Sequence, residues 1–134
     1  MALYNKTAHE LHDLLQTKKI SAAELTADIF SRIDEVEDKI GAYLTLTRDK
    51  ATATAKLVDE KISRGEKIAP LEGIPCAIKD NICTKGIRTT CASKILENFI
   101  PPYDATAYAK LAAQNSIIIG KLNLDEFEIG RAHV

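Results

Sequence analysis

Tryptophan is absent from the 134-residue sequence, and aromatic residues make up only 5 % of it. A binding surface built on aromatic stacking has little to work with. Charge of one sign is lacking too: 18 Lys and Arg stand against 19 Asp and Glu, a net charge of −1. A dedicated nucleic-acid module carries a basic excess or a basic stripe, and neither is present. No apolar run approaches the roughly 18 residues that a membrane helix needs. The first residues, Met1 to Lys6, hold no apolar stretch, and His9, Glu10 and Asp13 soon follow. Neither a signal peptide nor an Arg-rich transit peptide is expected, which points to a cytoplasmic chain with no membrane partner. Cysteine is sparse: Cys76, Cys83 and Cys91 form an odd set at spacings that match no zinc motif. Free thiols in a reducing compartment are the expectation.

What is present suits a folded chain. Apolar residues make up 46 % and charged residues 28 % of a 14.7 kDa sequence, enough for a core and the size of one domain or part of one. Thr7 and Glu10 read as a capping box before Leu11, Leu14 and Leu15 at helical spacing, predicting a helix over 7–18. Ser21 and Glu24 repeat the device before Leu25, Ile29, Ile33 and Val36, predicting a second helix over 21–36. Gly41 breaks the pattern, and 42–47 reads as a short strand. A third helix is expected over 49–63, with Ala51, Ala55, Val58 and Ile62 on its buried face.

After Pro70 the texture changes. Residues 73–80 read as a buried strand with a polar end, and 84–90 as a loop. Asp104 is a candidate N-cap for a helix over 105–114, closed by Asn115 in the left-handed position. Residues 116–121, rich in isoleucine, read as a fully buried strand of the parallel type. Strand, loop, helix and strand make a βαβ unit, so the class is α/β with a helical N-terminal region.

Lys79 is the first candidate for chemistry. It can be a lysine that snorkels its ammonium into water from the end of an apolar strand. It can also be a desolvated lysine able to act as a base. Asp80 and Asn81 can hold the strand end by hydrogen bonds or serve as turn residues. His9 and His12 sit three apart on a helix without a third ligand nearby, which favours solvated residues over a metal site. Asp125 and Glu126, as neighbours on a strand, would point to opposite faces and not form an acid–base pair. Lys121, at the end of its strand, is expected to snorkel.

The run Pro70-Leu71-Glu72-Gly73-Ile74-Pro75-Cys76-Ala77-Ile78-Lys79-Asp80-Asn81-Ile82 resembles the lysine segment of the amidase signature family. Residues 83–96, 101–106 and 120–127 resemble the branch of that family that serves tRNA-dependent amidation. The resemblance implies an α/β/α fold with a mixed sheet, of which this chain holds the helical N-terminal region and the first βαβ elements. It implies amide hydrolysis by a Ser–cis-Ser–Lys triad, with Lys79 as the charge relay and general base. Both serines would lie in a Gly/Ser-rich segment downstream, and no such segment occurs here. The five serines, Ser21, Ser31, Ser63, Ser93 and Ser116, lie elsewhere, and Ser93 matches the family's loop rather than its nucleophile.

The same resemblance implies glutamine as the amide, and two further subunits, B and C, as partners in a heterotrimer. Misacylated tRNA would be held mainly by a partner, which would use ATP and Mg²⁺; no cofactor or metal is expected in this chain. Residues 1–127 are expected to be the N-terminal part of a single amidase domain. Residues 128–134 depart from the family pattern, and the codons GAG ATC GGA AGA GCA CAC GTC would encode them as part of a sequencing adapter. A non-native tail is therefore expected, with no functional weight on Arg131 or His133. In the family many sheet elements come later, so strand 116–121 is expected to keep an unpaired edge and uncovered apolar surface. Two other readings stand beside this one: a different amidase-signature hydrolase of a small amide, and a non-enzymatic α/β interaction module.

Overall fold

A computed structural model describes residues 2–130. Helix α1 spans Ala8–Gln16 and α2 spans Ala22–Ile40. Both open with a complete capping box: Thr7 and Ser21 accept from the backbone N–H groups of Glu10 and Glu24, whose carboxylates reach back to the cap residues. Helix α2 runs one turn beyond the expected end, to Ile40. The acidic residues near its end do not stop it, because Lys39 lies in the last turn and Gly41 closes it at φ +63°.

Strand β1 (Tyr43–Leu46) leads into α3 (Arg48–Ser63), whose buried face is Ala51, Ala55, Val58 and Ile62, as the spacing predicts. Strand β2 (Pro75–Lys79), helix α4 (Thr106–Ala112) and strand β3 (Ile117–Leu122) complete the α-helices and strands among the described residues. Asp104 does not cap α4. The N-cap is Ala105, while the Asp104 carboxylate accepts from the Lys85 N–H at 2.6 Å and ties the 84–90 loop to the helix start. Asn115 takes the left-handed conformation at φ +52° that turns the chain into β3.

The sheet is mixed, in the order β1-β3-β2: β3 pairs antiparallel with β1 and parallel with β2. This corrects the expectation for β3. The strand is paired on both sides and its isoleucines are buried, because β1, from the helical region, supplies the second neighbour; the open edges belong to β1 and β2. Gly120 allows that pairing, since a Cβ there would run into the Thr45 carbonyl oxygen.

The main apolar core lies between α1–α3 and one face of the sheet, and includes Leu15, Leu25, Phe30, Ala55, Val58, Ile117 and Ile119. A smaller cluster of Ile78, Tyr108 and Ile118 sits under α4. The successive isoleucines of β3 therefore face alternate cores, which is why the strand reads as a continuous apolar run. Among the described residues, none of the helices is long and apolar enough to cross a membrane.

Candidate active site

Strands β2 and β3 run side by side and carry a lysine each near their C-terminal ends, with Ile78 opposite Lys121 and Lys79 opposite Leu122. Ends of parallel strands are where open α/β sheets gather their functional groups. The two lysines have opposite environments. The Lys79 side chain is 46 % exposed, and its Nζ lies 2.6 Å from Glu128 Oε1. Asn81 Nδ2 donates to the same oxygen at 2.8 Å.

Lys121 is fully buried, at 0 % exposure. The snorkelling expectation is wrong here, because β3 is the central strand and continues to Leu122, so water is out of reach of the side chain. Its ammonium donates to the Ile82 carbonyl oxygen and to Thr89 Oγ1, each at 2.8 Å, and lies 3.4 Å from Asp80 Oδ1. Burial pulls the Lys121 pKa down from its ordinary value, and the Asp80 carboxylate works against that shift.

Asp80 is equally buried and holds the strand end, the first of its two sequence readings. Its Oδ2 accepts from the Thr90 N–H at 2.8 Å and from Thr90 Oγ1 at 2.6 Å. Its backbone donates to the Leu122 carbonyl oxygen and accepts from the Cys91 N–H, both at 3.0 Å. One residue thus joins β2, β3 and the returning loop. Cys91 and Ala92 have positive φ, at +52° and +55°, where that loop turns away.

The remaining candidates fall outside this cluster. Ser93 is buried, donating to Glu126 Oε1 at 2.6 Å and accepting from the Ile95 N–H at 3.3 Å, which makes it a loop fastener. Asp125 and Glu126 are not on a strand: Asp125 precedes a single 3-10 turn, Glu126–Glu128, so the alternating-face argument does not apply to them. His9 is exposed, and His12 Nε2 is buried without a hydrogen-bond partner. Among the described residues no group of three or more His, Cys, Asp and Glu converges as a metal site. Cys76, Cys83 and Cys91 are free thiols, and burial pushes the first and last above the usual thiol range. Arg131 and His133 lie outside the described residues.

Sequence reasoning missed the buried role of Lys121. Its signal was Leu122: an apolar residue after the lysine means the strand does not end there. The polar partners were visible only as scattered threonines, since nothing local brings Thr89 and Thr90 back to Asp80.

The chain is 56 % identical to the A-type subunit of the Glutamyl-tRNA(Gln) amidotransferase of Desulforamulus reducens and 58 % identical to that of Heliobacterium modesticaldum, over 97 % of its own length in each case. It spans 27 % of the length of these relatives. Among solved structures it is similar to the native peptide amidase of Stenotrophomonas maltophilia, with 27 % identity and a TM-score of 0.84 over 92 % of this chain and 26 % of that one. It is also similar to a protein of a vestigial complex tied to the evolutionary origin of an s-triazine catabolic enzyme. There the identity is 28 % and the TM-score 0.87, over 91 % of this chain and 27 % of that one. The Amidase family model matches residues 24–134, a span that takes in both lysine-bearing strands and the buried Asp80 between them, and the chain belongs to the amidase family.

Proposed function

We propose that this chain is the N-terminal part of the glutamine-hydrolysing subunit of a tRNA-dependent amidotransferase. The observation that carries the reading is the contrast in identity: above 50 % with the A-type subunits of amidotransferases, but 27–28 % with the peptide amidase and the vestigial-complex protein. In the proposed reaction the full-length protein releases ammonia from glutamine. A partner subunit uses it to convert Glu-tRNA(Gln), Asp-tRNA(Asn) or both to the amidated forms. Subunits B and C complete a heterotrimer in the cytoplasm. The net charge of −1 agrees with tRNA being held mainly by a partner.

ATP and Mg²⁺ belong to the partner's activation step in this proposal. No residue cluster described in this chain fits a metal, so no step is routed through one here. Lys79 is assigned the base. Its Nζ stands at a strand end, half exposed, and a serine from the downstream part of the chain would have to meet it there. Lys79 would take the nucleophile's proton, relayed by a serine on a cis peptide bond, while that nucleophile, a second serine, attacks the amide carbon. Residues 1–127 are taken as native and 128–134 as a tail, so the Glu128 contact with Lys79 belongs to the tail. The coding nucleotides across codons 127–134 test that assignment: adapter sequence is expected, and a genomic reading frame through Val134 would remove it.

The 134-residue chain alone is expected to hydrolyse no glutamine, since it holds neither serine. The decisive experiment continues residues 1–127 with the remaining length of the Heliobacterium modesticaldum protein, assembled with its partners. There Lys79→Ala is expected to abolish glutamine-dependent amidation. Lys79→Arg should do nearly the same, because a guanidinium does not give up its proton near neutral pH. Amidation fed by free ammonia should survive both changes. Retained glutamine turnover in Lys79→Arg would overturn the base role, and turnover of simple amides in preference to glutamine would favour another amidase-signature hydrolase.

A further inference from the structure

We propose that Lys121 is a positioning residue for Lys79, acting through Asp80. The two lysines sit one register step apart on adjacent parallel strands, yet only one reaches the surface. The buried one meets three groups that belong to the segment just after Lys79: the Asp80 carboxylate, the Ile82 carbonyl and the Thr89 hydroxyl. Asp80 in turn fixes Thr90 and Cys91. Lys121 therefore pins the chain on both sides of the turn that follows β2.

A tie of this kind has a function beyond filling space. Lys79 is the last residue of β2, where a strand end is free to fray unless something holds the next residue. A base must sit within hydrogen-bond reach of the group it serves, and a misplacement near 1 Å can cost about a hundredfold in rate. The pair is also more than is needed to satisfy neighbouring polar groups. Without Lys121 the Ile82 carbonyl still accepts from Thr84 Oγ1, and the Thr89 hydroxyl still donates to the Ile87 carbonyl, both at 3.1 Å. The backbone already joins the Asp80 N–H to the Leu122 carbonyl of β3; what the ammonium adds is a side-chain link from β3 to the Asp80 carboxylate and to the loop at Ile82 and Thr89.

The catalytic half of this inference rests on Lys79 being the base, so the test has two arms. The first uses amide hydrogen exchange in the continued, assembled protein. The double variant Lys121→Met/Asp80→Asn removes both charges and keeps an oxygen at position 80 for Thr90. Its thermal midpoint is expected to lie close to the parent's, while the amides of Asp80, Thr90 and Cys91 exchange about tenfold faster and those of α2 and α3 do not change. Thr89→Val, which removes one partner of Lys121 and no charge, should speed the same three amides by a smaller factor. Unchanged exchange at all three in either variant overturns the tie.

The second arm follows turnover by the double variant in the same assembled protein. With glutamine, kcat is expected to fall by about tenfold to a hundredfold with little change in KM, while ammonia-fed amidation persists. Recovery of kcat together with stability would reduce the pair to a structural role and overturn the proposal. A parent protein without Lys79-dependent hydrolysis would overturn the functional reading and the catalytic half with it, and the exchange arm would still judge the tie.

Discussion

Between α1–α3 and the sheet, the buried cluster is built of leucine, isoleucine, alanine, valine and phenylalanine, with Thr26 of α2 as a buried polar exception. At the C-terminal ends of β2 and β3 and in the loop beyond them, the buried side chains include the polar set Asp80, Thr84, Thr89, Thr90, Ser93 and Lys121. The first region obtains its stability from apolar area removed from water, which is non-directional and roughly additive. The second depends on partners: each polar group is costly to bury alone and acceptable only with its neighbour in place. A stable scaffold made the first way holds a turn made the second way, and the strand end that enters this turn carries the proposed base.

The two regions should respond differently to the loss of one side chain and then a second. Lys121→Met leaves the Asp80 carboxylate buried with no opposite charge, a change that costs about 3–5 kcal/mol. That is a large share of the roughly 5–15 kcal/mol that holds a typical domain. Adding Asp80→Asn should restore most of the loss. Chemical denaturation of both variants checks this, and a double variant no more stable than the single one would break the contrast.

In the apolar region the second change should deepen the first. Leu25→Ala, at a fully buried position of α2, is expected to cost about 2–5 kcal/mol, and Val58→Ala should add to it. Leu57→Ala, next to Val58 but 60 % exposed, should stay within about 0.5 kcal/mol of the parent. Equal losses at positions 57 and 58 would show that α3 does not present the face described.

The same division decided how much could be read from the sequence. The apolar faces of α1, α2 and α3 follow from spacing, and both capping boxes from four residues, because these are local patterns. The βαβ unit was legible for the same reason. The partner strand of β3 was not: β1 lies more than 70 residues earlier, and nothing in its own sequence states which edge it will cover. The buried pair was illegible in a stronger sense. Thr47 in the helical region and Thr89 in the loop are both buried threonines, yet only the second meets a charge. Asp104 failed as a cap because the Lys85 N–H, from a distant loop, reached its carboxylate.

Glu72 tests the contrast at the boundary of the regions, since it is a buried carboxylate beneath α3. It accepts from Lys61 Nζ and the Ala69 N–H at 2.8 Å and from Asn115 Nδ2 at 3.0 Å. Burial pushes its pKa up, but these three donors outweigh burial and leave it below the ordinary value of 4.5. The folded pKa is thus the lower one. Its stabilisation is complete above the unfolded value and is lost as pH falls through the folded value. Glu72→Gln should cost about 1.5–3 kcal/mol at neutral pH. The gap to the parent should narrow on acidification below 4.5, as thermal melts across that range can show. A constant gap would mean that the charge on Glu72 contributes nothing.

The smallest effects should come from polar contacts of the helical region that water can replace. Thr7→Ala removes the oxygen that accepts from the Glu10 N–H at 3.3 Å and is expected to cost about 1 kcal/mol. Ser21→Ala removes the matching contact with the Glu24 N–H, at 3.0 Å, but α2 has a second support. The Asp59 carboxylate accepts from the N–H groups of Ala22 and Ala23 at 2.7 and 3.0 Å, so two of the helix's free donors stay satisfied. Its cost should fall toward the low end, about 0.5 kcal/mol, and rise when Asp59→Ala is added. Thermal melts of the three variants order them. These groups stand in or near water, so an unmade bond is largely replaced by a bond to solvent, unlike the bond lost at Asp80. A Ser21→Ala loss as large as that of Lys121→Met would erase the distinction between the two regions.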